Sequence, residues 1–546
     1  MHKNMAHAQS GPSHLNSKFS PKAFMLALAA MLLAISVGVS FAKPLRYATQ
    51  DEPQTLDPHS ANLAVTNRLL GNVYEGLVGR DKDFKMVPWL ALSCSQPDIK
   101  TWRFKLRPGV KFHDGSPFTA EDVVFSIERA LSLNSQMKAS VQGAASARAI
   151  DDLTVDILMK EPNPVLLNHV FFFRIMSKSW AIKNNALLPQ NYKDKEDTFA
   201  SRNTNGTGPF MVTVRQPDVK TELVENPNWW NKASSEKGNI TAVTLLPIKN
   251  NATRLAALLS GEVDFVNDPP SQDIARLRAS QNIAMITGAE SRVQFLAFDL
   301  NRDELLYSNV KGKNPFKDIR VRQAIAHAID AETIKSKVMR GLARPTGTII
   351  TPVDQGYSKN ADVRLPYNVA RAKALLKEAG YPNGFDVTLD CGAAQPPADI
   401  CQAIAPMLAR IDINVTPNIV PTANYFQKIQ KFDTSFYLLS WSTPTTDALY
   451  TLQSLLRTYS GDSTGNGDSN YGRYSSAKMD QLIDKIRVEN DLKKRDEFIR
   501  EALMLANEEL PILPIHQQLW PWAMRKGASA ILPPNNVPYF FRFSLK

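Results

Sequence analysis

The chain reads as an α/β protein built from more than one lobe, and three observations carry that reading. At 546 residues it exceeds what one hydrophobic core ordinarily serves, so two or three lobes are expected. Hydrophobic residues make up 43% and charged residues 21%, the composition of a globular protein. Strand-like and helix-like stretches also alternate. Residues 385–390, 400–410 and 413–419 read strand, helix, strand, a βαβ-like unit that suggests a parallel pair.

The clearest local pattern lies in residues 102–128. Trp102, Phe104 and Leu106 alternate, as one buried strand face requires. Pro108-Gly109 and Asp114-Gly115 are turn pairs. Thr119 can cap a helix whose first turn holds Glu121 and Asp122, where carboxylates complement the helix dipole. Nothing in this block is chemically reactive, so it speaks to fold.

The remaining elements follow in order. A strand is expected at 45–50, then an acidic loop through Asp57-Pro58-His59, a helix at about 62–77 and a strand pair near 144–160. Residues 203–210 are a turn-rich return into a strand. Residues 225–230 form a loop in which Trp229 and Trp230 read more readily as anchors than as ligand contacts. A helix over 250–260 ends at Gly261. Val293, Phe295 and Phe298 mark a compact strand where the chain changes lobe. One long helix is expected over 316–334, with a capped end at Arg340-Gly341. Another at 368–379 is stopped by Gly380. A strand at 435–441 ends on Trp441. Helices at 477–487 and 492–508 precede a crossing back near 510–516.

The first 42 residues read as a targeting segment. The apolar stretch 23–39 follows Lys18 and Lys22 and ends at Ser40-Phe41-Ala42, which is the layout of a secretory signal peptide cleaved after Ala42. No Cys lies near that site, which argues against a lipid anchor. The net charge of +11 falls to about +8 once Lys3, Lys18 and Lys22 are removed. The excess is spread along the chain with no basic stripe interleaved with aromatics, so no nucleic-acid partner is expected. Of the three cysteines, Cys94 reads as a buried free thiol. Cys391 and Cys401 are close enough along the chain to pair, and the pairing stays open at this point.

Several segments carry a resemblance. Besides 102–128 they are Gly206-Thr207-Gly208-Pro209-Phe210, the Asn226–Trp230 segment, Val321-Arg322-Gln323-Ala324-Ile325, the 375–382 segment and Pro511-Ile512-Leu513-Pro514. In this order the chain resembles the family 5 solute-binding proteins of bacterial ABC transporters over about 45–546. The resemblance implies a periplasmic-binding-protein-like fold of two α/β lobes joined by a two-strand hinge, with an extra subdomain inserted in lobe I. The expected boundaries are a signal peptide at 1–42, lobe I at 43–292 with the insertion at about 78–205, lobe II at 293–510, and a return to lobe I at 511–546. It implies a periplasmic, non-enzymatic, monomeric receptor that passes a peptide or peptide-like solute to an inner-membrane permease driven by a cytoplasmic ATPase, with no cofactor. A non-peptide solute of the same receptor class (glutathione-like, opine, glycan or nickel chelate) is the alternative, and a periplasmic chaperone or signalling receptor a minor one.

The resemblance also places the site. Trp441-Ser442-Thr443-Pro444-Thr445-Thr446-Asp447 corresponds to a cleft-lining loop. Peptide-binding members carry an Asp three residues after the Trp, for the ligand's ammonium group. Here that position is Pro444, and an acid appears only at Asp447. Asp447 either takes the ammonium role or caps a helix starting at Ala448. Dipeptide-binding members hold the carboxylate with an Arg after the strand matching 385–390. Here Gln395 is the polar residue of that loop and no cation occurs. Tyr471, Asn470, Tyr425 and Asn62 complete the expected ligand contacts.

Two other chemistries are disfavoured. Gly461-Asp462-Ser463-Thr464-Gly465 fits the G-x-S-x-G elbow of serine hydrolases, but that elbow needs a strand before it and a helix after it. The histidines His59, His113, His169, His327 and His516 show no ligand-like spacing, so no metal site is expected.

Overall fold

The computed structural model describes residues 43–546 apart from 142, 193, 195, 395, 444 and 462–465. The segment read as a signal peptide, Gln395 and Ser463 therefore lie outside the described residues. Two long strands, Ile283–Phe298 and Ile512–Arg525, form the spine of an eleven-stranded mixed sheet. They pair antiparallel from Ile283↔Arg525 to Ala289↔Leu519, and again from Val293↔Gln517 to Ala297↔Ile512. Between these runs the register shifts, leaving Glu290, Ser291 and Arg292 outside the ladder. A bulge of this kind bends a strand and re-aims its side chains.

On one side of the spine the sheet continues through Phe436–Ser442, Phe385–Gly392 and Ile413–Val420. The last two are parallel, in register from Phe385↔Ile413 to Gly392↔Val420, with the helix Pro397–Ala409 as crossover. The expected βαβ unit is present. On the other side the sheet runs through Phe265–Asn267, Lys43–Thr49, Ile240–Pro247, Lys220–Glu225 and Phe210–Gln216. Each side has its own apolar core. Leu296, Phe298, Phe316 and Phe436 are buried in one, and Leu45, Phe265, Trp522 and Phe540 in the other.

A separate four-stranded antiparallel sheet contains Ala91–Asp98, Thr101–Leu106, Thr154–Met159 and Ala144–Asp151. Trp102, Phe104 and Leu106 are buried on it as their alternation requires, beneath the helix Ala120–Leu131. Thr119 and Asp122 close a capping box at that helix, satisfying two orphan N–H groups at once.

The Gly206–Phe210 segment lies on the backbone of residues 72–74. Gly208 N donates to Val73 O at 2.9 Å and Phe210 N to Asn72 O at 3.0 Å. A Cβ at Gly206 would stand 1.9 Å from Val73 O, so only glycine permits this approach. Thr207 then donates to the buried Glu75 carboxylate, which also accepts from the indole N–H groups of Trp89, Trp229 and Trp230. The tryptophans of the 226–230 segment are thus anchors.

Three local expectations change. The helix expected over 62–77 spans Ala64–Leu70. Asn72 is instead engaged with the returning C-terminal segment, donating to Pro538 O and accepting from Phe540 N. The helix expected over 316–334 is broken. Ile319–Ala328 ends at an extended Ile329, and Asp330 caps a new turn by accepting from Thr333 N. Cys94 is exposed rather than buried, because its strand is the edge of the four-stranded sheet and turns that residue outward. Cys391 and Cys401 form a disulfide, their Cα atoms 6.7 Å apart.

Candidate functional site

A cavity of about 390 Å³ sits where the register shift opens the two-strand spine. That size lies in the range of small-molecule sites. Most of its lining comes from three places, with Pro534 and Asn535 of the C-terminal segment completing it. Glu290, Arg292 and Trp520 belong to the spine. Asn62, Met137, His169, Phe172 and Arg174 come from the side carrying the four-stranded sheet. Thr443, Thr445, Thr446 and Tyr450 come from the loop and helix after Phe436–Ser442.

The walls hold unused hydrogen-bonding capacity. Four lining atoms are buried without a partner among the described residues: Glu290 Oε2, His169 Nδ1, Trp520 Nε1 and Thr445 Oγ1. Buried polar groups are ordinarily satisfied, so their concentration in one cavity marks a place built for a polar guest. Glu290 is 4% exposed. Its Oε1 accepts from Arg292 Nε at 2.5 Å, and burial raises its carboxyl to about 7. Burial holds His169 down at about 4, so its ring is neutral. Burial also lowers Arg174, and among the described residues no carboxylate lies within salt-bridge distance of it. Arg174 and Arg292 face one lining carboxylate, Glu290, so the cavity favours anionic groups on its guest.

Behind the cavity, Ser291 donates to Asp354 Oδ1 at 2.6 Å, and Asp354 also accepts from Thr351. Burial places Asp354 at about 6. Beside the cavity, Arg80 Nη2 reaches Thr446 Oγ1 at 2.8 Å. This bond ties the two halves across the cleft.

The residues expected from sequence fall in three groups. Asn62 lines the cavity, its Oδ1 accepting from Asn67 Nδ2. Trp441 stands one ring behind the wall, stacked on Tyr450 with centroids 5.6 Å apart and donating to Thr451 Oγ1. Asp447, Tyr471, Asn470 and Tyr425 are not among the residues lining this cavity. Asp447 caps the helix Ala448–Leu455 and receives both Nη groups of Arg495, so its carboxylate is already spent on the fold. Asn470 donates to Arg457 O and Tyr474 O. Tyr425 donates its hydroxyl to Leu438 O, and Tyr471 is buried near Tyr437.

Sequence reasoning missed Glu290, Arg292, His169, Arg174 and Trp520. One signal was present. The polar run Glu290-Ser291-Arg292 interrupts a mainly apolar strand next to Val293, Phe295 and Phe298, and charged residues inside a buried strand need a reason.

Residues 85–463 match the model of the bacterial extracellular solute-binding proteins, family 5 (middle). The chain is 29% identical over 418 residues to the glutathione-binding protein GsiB of Pectobacterium atrosepticum, covering 74% of this chain and 76% of that one. Two solved structures share its fold. The periplasmic binding protein DppA of Helicobacter pylori, in complex with the peptide STSA, aligns with a TM-score of 0.69 at 24% identity, over 92% of this chain and 98% of that one. HbpA2 of Haemophilus parasuis aligns with a TM-score of 0.79 at 23% identity, over 92% and 100%. A two-lobe α/β fold, a polar cavity at the crossing strands and a family match over most of the sequence agree: the chain belongs to the bacterial extracellular solute-binding proteins of family 5.

Proposed function

We propose that the protein is the periplasmic substrate-binding component of an ABC importer, taking a peptide or peptide-like solute between two lobes and delivering it to a membrane permease. The single observation behind this reading is the cavity at the spine, with four unpartnered polar atoms and the guanidinium groups of Arg174 and Arg292 on its walls. Backbone amides and terminal charges of a short peptide suit such a surface. The receptor performs no chemistry, works as a monomer and is exported by cleavage after Ala42. Its lobes divide at 43–292 and 293–510, with 511–546 returning to lobe I, and the break in pairing at Glu290–Arg292 supports that division. Ligand favours closure because only the closed form completes contacts from both sides.

The relatives named for glutathione make that tripeptide the first probe. The two guanidinium groups suit its carboxylates. The test is a thermal-shift and calorimetric screen of the mature chain, unfolded and refolded to remove carried-over solute. The panel holds glutathione, tri-alanine, dipeptides, sugars and nickel chelates. A ligand at about 100 times its Kd adds about 2.7 kcal/mol of stability. Stabilisation by tripeptides or glutathione is expected. Stabilisation by a sugar or chelate alone would keep the receptor and discard the peptide.

A further inference from the structure

We propose that Glu290 receives the primary ammonium group of the solute, making the receptor selective for guests with a free amine. The inference rests on the receptor reading above and adds the charge that the guest must present at one point.

Glu290 supplies the only carboxylate among the described residues lining the cavity. Asp447, the nearest acid in the lobe-II loop sequence, is held by Arg495 and lies outside the wall. One oxygen of Glu290 is engaged by Arg292, while Oε2 is buried and has no donor. An ionised oxygen left bare in a buried site is costly, and a charged N–H donor relieves that cost more than a neutral one. An ammonium group also brings further N–H donors, and the same cavity offers Thr445 Oγ1 and, in one tautomer, His169 Nδ1 as unpartnered acceptors. The backbone of the bulge is held as well, Gln517 Nε2 donating to Glu290 O at 3.0 Å.

The charged and titratable groups facing Glu290 are Arg292 on its own strand, Arg68 on the helix Ala64–Leu70 and Asp268 after Phe265–Asn267. His169 and Arg174 share the cavity. With its carboxyl at about 7, Glu290 is partly protonated in the free protein below neutrality. Ammonium binding requires the ionised form. Apparent affinity for an amine therefore falls as pH drops below about 7, by up to about tenfold per pH unit, and falls again above the guest's own amine pKa, about 7.7–8.0 for a peptide α-amino group. His169, neutral down to about 4, does not contribute in that window.

The experiment is calorimetry on the refolded mature chain with tri-alanine and glutathione, each with a free amine and N-acetylated, for the native protein and Glu290→Gln. The native protein is expected to prefer the free-amine probes by roughly 30-fold or more, and Glu290→Gln to lose that preference. Equal affinity of the native protein for free and acetylated probes would overturn the role of Glu290 and leave the receptor reading standing. Binding of no probe at all would overturn both. Retention of the preference by Glu290→Gln would also overturn it. Should that variant fail to fold, the native pH profile decides. Loss of affinity between pH 8 and 6 for the free-amine probe alone supports the assignment, and parallel profiles for both probes reject it.

Discussion

Asp447 and Arg495 face each other as a bidentate pair, Nη1 to Oδ2 at 2.8 Å and Nη2 to Oδ1 at 2.7 Å, with side-chain exposures of 1% and 0%. The aspartate also accepts from Leu449 N at the start of its helix. Removing one member of a buried pair leaves the other charge uncompensated, at a cost of about 3–5 kcal/mol. Asp447→Ala is therefore expected to lower the urea midpoint strongly, with or without ligand. A loss of affinity at unchanged stability would return Asp447 to the binding site.

Arg80 and Thr446 meet across the cleft at 2.8 Å. Thr446→Val removes the acceptor while preserving shape. Losing one such bond costs about 1 kcal/mol, and the loss falls on the closed state. Calorimetry should show affinity reduced about fivefold and by a similar factor for every probe, because the change alters closure rather than recognition. A drop confined to one chemical class of probe would instead make Thr446 a direct contact.

The disulfide between Cys391 and Cys401 closes a short loop at the end of the Phe385–Gly392 strand. Loop-entropy arguments assign such a bridge about 3 kcal/mol. Under denaturing conditions, thiol titration should find one reactive cysteine, Cys94, before reduction and three after it. Reduction should lower Tm. Three thiols before reduction would remove the bridge from the native protein.

His516 sits on the spine with both ring nitrogens buried and unpartnered among the described residues. Burial holds it down at about 3, while His59 and His113 are held at about 4. A histidine whose folded pKa lies below the ordinary 6.5 is bound by more protons when unfolded. Its contribution to stability is full above pH 6.5 and is lost as pH falls toward the folded value. Glu290 and Asp354, raised to about 7 and about 6, act in the opposite direction over part of that range. His516→Leu should therefore flatten the acid side of the stability profile by up to about 1.4 kcal/mol per pH unit, with a small change at pH 8. An unchanged slope would show that His516 is not a proton-linked group.

Local patterns carried most of what the sequence revealed. The alternation Trp102, Phe104, Leu106 and the Thr119 cap depend on neighbours within a few residues, and both appear as read. So does the parallel pair on either side of Pro397–Ala409. The early end of the helix at Leu70 was not legible, because Asn72 is recruited by Phe540, more than four hundred positions away. The cavity was hidden for the same reason. His169 lies in the last turn of a short helix, Arg174 follows it, and Trp520 lies on a strand from the far end of the chain. Asn62, expected from the sequence, lines this cavity, and Trp441 stands behind its wall on Tyr450. Within that loop, Asp447 turned inward because Arg495 on a distant helix neutralises it.

The missing ladder contacts between Ala289 and Val293 have a mechanical consequence. A flexing ribbon moves least at its fulcrum, and the Glu290 carboxylate is mounted on it. On the proposed receptor reading, that group keeps nearly the same place whether the jaws are apart or together, and meets an incoming solute before the Arg80–Thr446 bond closes over it. The capture rate should then report on the fulcrum, and the residence time on the jaws.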